Sequence, residues 1–486
     1  MPKILFSHSY FYQLDSKQWK MAEPFPPLMT MTAAGFLRDH GCEVSLFDVG
    51  LRENESGLSD ILSQFGPDYF VIFDDGFNWL TKMCLTTMRE AAFRMQETAH
   101  RHGVKVIVCS SDATDHYEKY LDHHADIVIR GEGEMTLKAL IDAYENETSL
   151  DQVNGIAYRN TSDETLVTPR QAIMTDLDQL PLPAWDLADV DSYRQIWCEA
   201  GKTHYLNIAT TRGCPYKCNW CAKPIYGQRY NVRSPKKVVD EIEFHLEHHN
   251  VDHFWMCDDI FGLKPGWVQE FRNEIEARKL KIYYKIQSRA DLLLEEDNID
   301  ALVASGLHEV WIGAESGSQK ILDAMDKGTT INQIHQSTKL LKQHGVKVGF
   351  FIQYGYLNET KQDIELTIAM IKDLQPDSLG ISVSYPLPGT KFYEKVQKDL
   401  ESKANWVDSD DLDMMFQNTY QPSFYRLLHQ YTHNVYNRSK SVRLIHEAFS
   451  NPLIVRWKHV KSVLKVIYYT PIIIWRNLKL NRLSSS

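Results

Sequence analysis

The chain is 486 residues long, more than one hydrophobic core normally serves, which predicts two or three domains. Hydrophobic residues make up 43% and charged residues 24%, a balance that excludes a disordered or membrane-spanning class. The net charge of -11 excludes a nucleic-acid partner, because phosphate binding needs clustered Lys and Arg, and leaves a small-molecule or lipid-like substrate.

The opening Met1-Pro2-Lys3-Ile4-Leu5-Phe6-Ser7-His8 has too short an apolar run for a secretory signal and reads as a first strand, so a cytoplasmic location is expected. Over residues 1–145, the short apolar runs Lys3–Phe6, Glu43–Asp48, Tyr69–Phe73, Lys105–Cys109 and Asp126–Ile129 alternate with segments of helical spacing such as Leu28–His40 and Thr81–His102. This α/β alternation predicts a doubly wound, Rossmann-like parallel sheet, whose ligand lies beyond the carboxyl ends of its strands. Those ends carry Ser7-His8-Ser9, Asp74-Asp75-Gly76 with Phe77-Asn78-Trp79, Ser110-Ser111-Asp112, and Gly131-Glu132-Gly133-Glu134.

Residues 146–200 read as a linker with a hairpin (Gly155–Arg159, Leu166–Arg170) and the segment Leu180-Pro181-Leu182-Pro183-Ala184-Trp185, whose prolines break helix and sheet. A second βα series occupies residues 201–400. Its strands are Tyr205–Ala209, His253–Cys257, Ile282–Gln287, Glu309–Ala314, Lys347–Tyr354 and Ser378–Ser384, with helices such as Pro235–His248 and Lys361–Leu374 between them. Six repeats fall short of an eightfold barrel and predict an open, partial (β/α)6 TIM-like barrel.

Residues 401–486 read as a helical tail. Beyond Glu447 it holds no Asp or Glu, while Arg456, Lys458, Lys461, Lys465, Arg476, Lys479 and Arg482 interleave with Trp457, Tyr468, Tyr469, Ile472–Ile474 and Trp475. That mixture suits a helix lying in a membrane interface as well as a packed terminal helix. Its apolar run is shorter than the roughly 20 residues that span a bilayer, and Pro471 interrupts it.

Of eight cysteines, Cys42, Cys84, Cys109, Cys198 and Cys257 are scattered and read as structural thiols. The other three stand in Thr211-Arg212-Gly213-Cys214-Pro215-Tyr216-Lys217-Cys218-Asn219-Trp220-Cys221, directly after the first strand of the second series. Thiolates select iron–sulfur clusters or zinc, and a closed zinc site wants four protein ligands where this loop offers three. Three ligands on a four-iron cube leave one iron open to the amino and carboxylate groups of a methionine moiety.

Cys-x3-Cys-x2-Cys in this place resembles the radical S-adenosylmethionine superfamily, and the likeness runs through most of the second domain. With the doubly wound domain ahead of it, joined through Gly131–Glu134 and the Leu-Pro-Leu-Pro linker, residues 1–400 are similar to the cobalamin-binding members of that superfamily. The resemblance implies a catalytic [4Fe–4S] cluster on Cys214, Cys218 and Cys221, with Trp220 against the adenine of S-adenosylmethionine. It carries Asp258 and Asp259 over to the methionine amino end, against the alternative of a helix-capping turn. Gln287-Ser288-Arg289 ends the third strand, and Arg289 would face the methionine carboxylate or form an ordinary salt bridge. Glu315 and Ser316, in Gly313-Ala314-Glu315-Ser316-Gly317-Ser318, would meet the ribose, with a structural carboxylate as the alternative. Pro386-Leu387-Pro388-Gly389-Thr390 resembles the exit of this subgroup's sixth strand.

For cobalamin, the resemblance points to Ser110, Ser111, Gly131 and Gly133 beside the nucleotide tail, though these glycines also suit plain turns. The first loop lacks the Asp-x-His-x-x-Gly signature and His8 stands without its flanking residues, so no histidine on cobalt is expected. The implied reaction is reductive cleavage of S-adenosylmethionine to a 5′-deoxyadenosyl radical, hydrogen abstraction from an unactivated carbon and methyl transfer from methylcobalamin. An electron donor such as flavodoxin or ferredoxin would supply the reducing equivalents. Oxidative cyclisation, ring contraction and oxygen insertion are the alternatives with the same cofactors, and a non-catalytic cobalamin or redox sensor is a third. RNA methylthiolation would need a second cluster, for which Cys42, Cys84 and Cys109 are too dispersed.

Overall fold

Seven strands form the first sheet of the computed structural model, which describes residues 1–76, 85–400, 403, 405–450 and 456–484. They are β1 (Lys3–Ser7), β2 (Glu43–Phe47), β3 (Tyr69–Phe73), β4 (Lys105–Cys109), β5 (Ile127–Ile129), β6 (Ile156–Arg159) and β7 (Thr165–Val167), in the order β2-β1-β3-β4-β5-β6-β7. The first five run parallel. The expected hairpin joins this sheet as the antiparallel strands β6 and β7. Phe77-Asn78-Trp79, Cys84 and the start of the helix expected from Thr81 lie outside the described residues.

The sheet is buried on both faces because its strands are nearly continuous apolar runs: Tyr69 to Phe73 are all buried, as are Ile4, Leu5 and Phe6. Helix Leu28–Asp39 buries every residue from Leu28 to Leu37. Gly35 allows the linker to close on this helix, since a Cβ there would lie 2.9 Å from Leu182 O. Ala184 N–H then donates to Met31 O at 3.0 Å, and Trp185 is buried. The strand order changes direction between β1 and β3, where sheets of this kind open their ligand crevice.

Contacts divide the chain into two units, Met1–Tyr216 with Ala222–Ile286 and Asn405–Asp411, and Lys217–Cys221 with Gln287–Ala404 and Leu412–Ser486. The first unit holds β8 (Leu206–Ile208), the two-residue strands β9 (Thr211–Arg212) and β10 (Asn231–Val232), β11 (His253–Met256) and most of β12 (Tyr283–Ser288). Strands β8, β11 and β12 are parallel neighbours. The second unit holds the parallel strands β13 (Leu307–Glu315), β14 (Lys347–Tyr354) and β15 (Ser378–Val383). It ends in two long helices, Pro422–Ser450 and Trp457–Leu483.

Among the described residues the tail is helical only from Pro422. Before it, Asn405–Asp411 belongs to the first unit. There Thr86 N–H donates to Trp406 O at 2.9 Å and Ser409 Oγ donates to Asp15 Oδ1 at 2.7 Å, while the Trp406 side chain is buried.

Candidate active site

Chain direction at the start of the cysteine loop is set by β9 pairing with β10, Arg212 opposite Asn231 and Thr211 opposite Val232. Gly213 then turns the chain with φ of +81°, and a Cβ there would lie 2.4 Å from Arg229 O, so no larger residue fits. Asp258, at the end of β11, braces the same corner. Its carboxylate accepts from Thr210 N at 2.7 Å and Thr211 N at 2.8 Å and also from the Thr210 hydroxyl. Burial pushes the Asp258 carboxyl up to about 7 against these donors. Asp258 is therefore an interior brace, and the expected alternative of a solvated turn does not hold; Asp259 beside it is half-buried.

Arg212, two residues before Cys214, is the centre of a buried ion cluster. Its Nη1 lies 2.5 Å from Glu132 Oε1 and its Nη2 lies 2.5 Å from Glu134 Oε1, with the Tyr226 ring 5.3 Å below the guanidinium. Burial opposes the Arg212 charge, but Glu134, Tyr226 and Glu132 outweigh it and raise its pKa. For Glu132 burial prevails over Arg212 and its carboxyl pKa rises. Gly133 sits between these glutamates, and its missing side chain admits the Phe73 ring and the Cys109 sulfur, 2.5 and 2.6 Å from where a Cβ would stand.

Cys214 is buried, whereas Cys218 and Cys221 are partly exposed. In the second unit Asn219 anchors the loop through all its polar groups. Its N–H donates to Met325 O (3.0 Å), its carbonyl accepts from Phe392 N (2.9 Å), its Nδ2 donates to Ala324 O (2.7 Å) and its Oδ1 accepts from Tyr356 OH (2.7 Å). Phe392 lies in helix Lys391–Val396, capped by Thr390, so the Pro386–Thr390 exit has a visible use. Trp220 Nε1 is buried without a hydrogen-bond partner.

Beside this loop, Lys327 Nζ lies 2.8 Å from Glu315 Oε1. Burial works against the Lys327 ammonium, yet Glu315 and the Cys218 sulfur outweigh it and raise its pKa. Gly313 makes room for the pair, since a Cβ would stand 2.6 Å from Lys327 Nζ. Glu315 has φ of +57° at a register shift in β13, a bulge that re-aims its side chain. Arg289 grips Asp291 with Nε (3.0 Å) and Nη2 (2.9 Å), and its Nη1 donates to Lys327 O (2.7 Å). Ser316 is turned to helix Lys361–Leu374, its hydroxyl 3.1 Å from Thr367 Oγ1. Gln287 is half-buried and Ser288 buried at the end of β12.

At the carboxyl edge of the first sheet, Ser110 Oγ accepts from Ala113 N at 2.9 Å and Ser111 Oγ is buried with no partner. Gly131 has φ of +109° and donates to Thr114 Oγ1 at 3.2 Å. His8 Nε2 lies 2.9 Å from Asp48 Oδ1, which Tyr193 OH also reaches, so this ring is held by protein.

The Radical SAM superfamily profile matches residues 208–371. An uncharacterized methyltransferase of Pyrococcus horikoshii is 28% identical over 91% of this chain and 94% of its own. The anaerobic magnesium-protoporphyrin IX monomethyl ester cyclase of Rubrivivax gelatinosus is 31% identical over 83% of this chain and 72% of its own. The solved cobalamin-dependent S-adenosylmethionine radical enzyme OxsB, holding aqua-cobalamin and S-adenosylmethionine, shares the fold with a TM-score of 0.72, covering 99% of this chain and 72% of its own at 17% identity. This chain belongs to the radical S-adenosylmethionine superfamily.

Within that family the donor chemistry of this chain fits its cofactors. Three soft thiols on one loop suit a four-iron cluster with an open corner, although no group of three His, Cys, Asp or Glu among the described residues is gathered as a ready-made metal site. The unpartnered Ser111 hydroxyl suits a polar ligand at the first sheet's edge. The sequence reading of this radical S-adenosylmethionine enzyme missed Asn219, Lys327 and the Glu132–Arg212–Glu134 cluster. Only the last left a trace, a pair of acids alternating with glycines at a strand end.

Proposed function

We propose that this enzyme holds a [4Fe–4S] cluster on Cys214, Cys218 and Cys221, binds cobalamin against a Rossmann-like first domain, and methylates an unactivated carbon of a small or lipid-like substrate. The six strands of the second series serve as an open (β/α)6 barrel around the reaction, and a flavodoxin- or ferredoxin-like protein in the cytoplasm supplies electrons. One observation carries the reading: Arg212 is buried between Glu132 and Glu134, so the loop after β5 and the approach to Cys214 are one construction.

Bound there, the cluster and S-adenosylmethionine supply a 5′-deoxyadenosyl radical and cobalamin supplies the methyl group. The chain's own residues orient and enclose. Gly213 and Asp258 shape the entry to the loop, and Asn219 fixes the stretch between Cys218 and Cys221. Trp220 offers a ring and an unpartnered N–H to the adenine, and the Lys327–Glu315 pair presents a carboxylate at the ribose. Ser110, Ser111 and Gly131 would line the cobalamin side, where the His8 ring is held by Asp48.

Anaerobic reconstitution with iron and sulfide, followed by S-adenosylmethionine and a reductant, tests this. We expect a four-iron absorption band and 5′-deoxyadenosine from the wild type, and neither from a variant with all three cysteines replaced by alanine. A band that survives the triple replacement overturns the assignment, and loaded protein that releases no 5′-deoxyadenosine points to a sensor. The likeness to the Rubrivivax cyclase favours a second reading, oxidative ring closure with the same cofactors. Product mass separates them, because methylation adds one methylene unit and ring closure removes hydrogen.

A further inference from the structure

Helix Trp457–Leu483 is fastened on one side and bare on the other. On the inner side Arg438 Nε donates to Thr470 Oγ1 (3.0 Å), Arg476 Nη1 donates to Gln430 O (3.1 Å) and Lys361 Nζ donates to Asn481 Oδ1 (2.7 Å). His459, Ser462 and Leu480 are buried there. The outer side carries Trp457, Leu464, Ile467, Ile474, Trp475 and Leu478, each between 56% and 66% exposed. At helical pitch these six fall on one stripe roughly 100° wide. A folded domain rarely leaves such a continuous apolar stripe in water without a partner for it.

Charge says which partner. Lys458, Lys461, Lys465 and Lys479 are exposed along one flank of the stripe, and Lys479 Nζ lies 5.3 Å from the centre of the Trp475 ring. No Asp or Glu follows Glu447, in a chain whose net charge is -11. A second copy of the helix would set lysine row beside lysine row with no carboxylate between them. Negative lipid headgroups give each lysine a counter-charge, and the indoles and aliphatic side chains an acyl boundary to enter. No helix among the described residues is long and apolar enough to cross a membrane, so the contact runs along the surface.

We propose that the exposed stripe of helix Trp457–Leu483 docks this chain on an anionic lipid bilayer. The inference stands apart from the cluster chemistry and is tested without it. Full-length protein is sedimented with vesicles of phosphatidylcholine alone and of phosphatidylcholine with phosphatidylglycerol, in low and high salt. We expect binding to the anionic vesicles only, weakened by salt, reduced about fivefold by Lys461→Ala and abolished by Ile467→Ser with Trp475→Ser. All three positions are exposed, so circular dichroism of the variants should match the wild type. Absent binding, equal binding to neutral vesicles, or a concentration-dependent dimer that the double variant dissolves would overturn the proposal.

Discussion

Arg212 has two carboxylates and a ring around it and almost no water, a setting in which removing the cation leaves two buried charges opposed. Breaking a buried pair in this way costs about 3–5 kcal/mol. We therefore expect Arg212→Ala to lose stability of that order in urea denaturation and to retain less iron after reconstitution. Arg212→Lys should recover little of it, because an ammonium cannot span both glutamates as the planar guanidinium does. A loss under 1 kcal/mol would mean that the cluster couples nothing.

Asp258 carries a pH signature. Burial raises its folded pKa to about 7, while the unfolded carboxyl ionises near the ordinary aspartate value of 3.8. Between these values the folded state binds the extra proton, so this group's contribution to stability falls as pH rises from about 4 to about 7, by a few kcal/mol at most. Asp258→Asn removes that slope. Urea denaturation at several pH values should show the variant gaining on the wild type as pH rises through this window, and parallel curves would contradict it.

The cysteine loop, as an element, is defined by two anchors rather than by regular structure. Gly213 turns it at one end and Asn219 pins its middle, so each is replaceable only at the loop's expense. Asn219→Ala removes the hydrogen bonds from Nδ2 to Ala324 O and from Tyr356 OH to Oδ1, while Tyr356 OH keeps Ala324 O as an acceptor, and is expected to cost about 1–2 kcal/mol. Gly213→Ala adds a disfavoured positive φ to a backbone clash and is expected to lower iron content per chain more than it lowers thermal stability. Iron assay beside a melting curve distinguishes the two effects.

Across the whole molecule, the hydrophobic sheets do not depend on metal, and the loop's anchors are bonds between protein groups. Removing iron with a chelator should leave far-UV circular dichroism unchanged while lowering the melting temperature through lost ligand binding. The sheets were also the legible part. Tyr69–Phe73, Lys105–Cys109 and Lys347–Tyr354 begin and end where their apolar runs do, and Pro235–His248 where its proline and its cap predict. What escaped was carried by pairings distant in sequence. Glu132 and Arg212 stand 80 positions apart, and nothing in either's neighbourhood names the other. The ribbon of β9 and β10 is two residues long on each side, too short for any periodicity. At Arg289 a salt bridge was among the readings, and the structure supplies its partner, Asp291 two residues on.

The return of Asn405–Asp411 to the first unit sets an order of events during synthesis. Asp15 waits for Ser409, and the backbone at Thr86 waits for Trp406, a residue that leaves the ribosome more than three hundred positions later. The amino-terminal sheet can form early, but its flank is sealed only when translation has passed the last strand of the second series, so a nascent chain stalled before that point still exposes the surface Trp406 will cover.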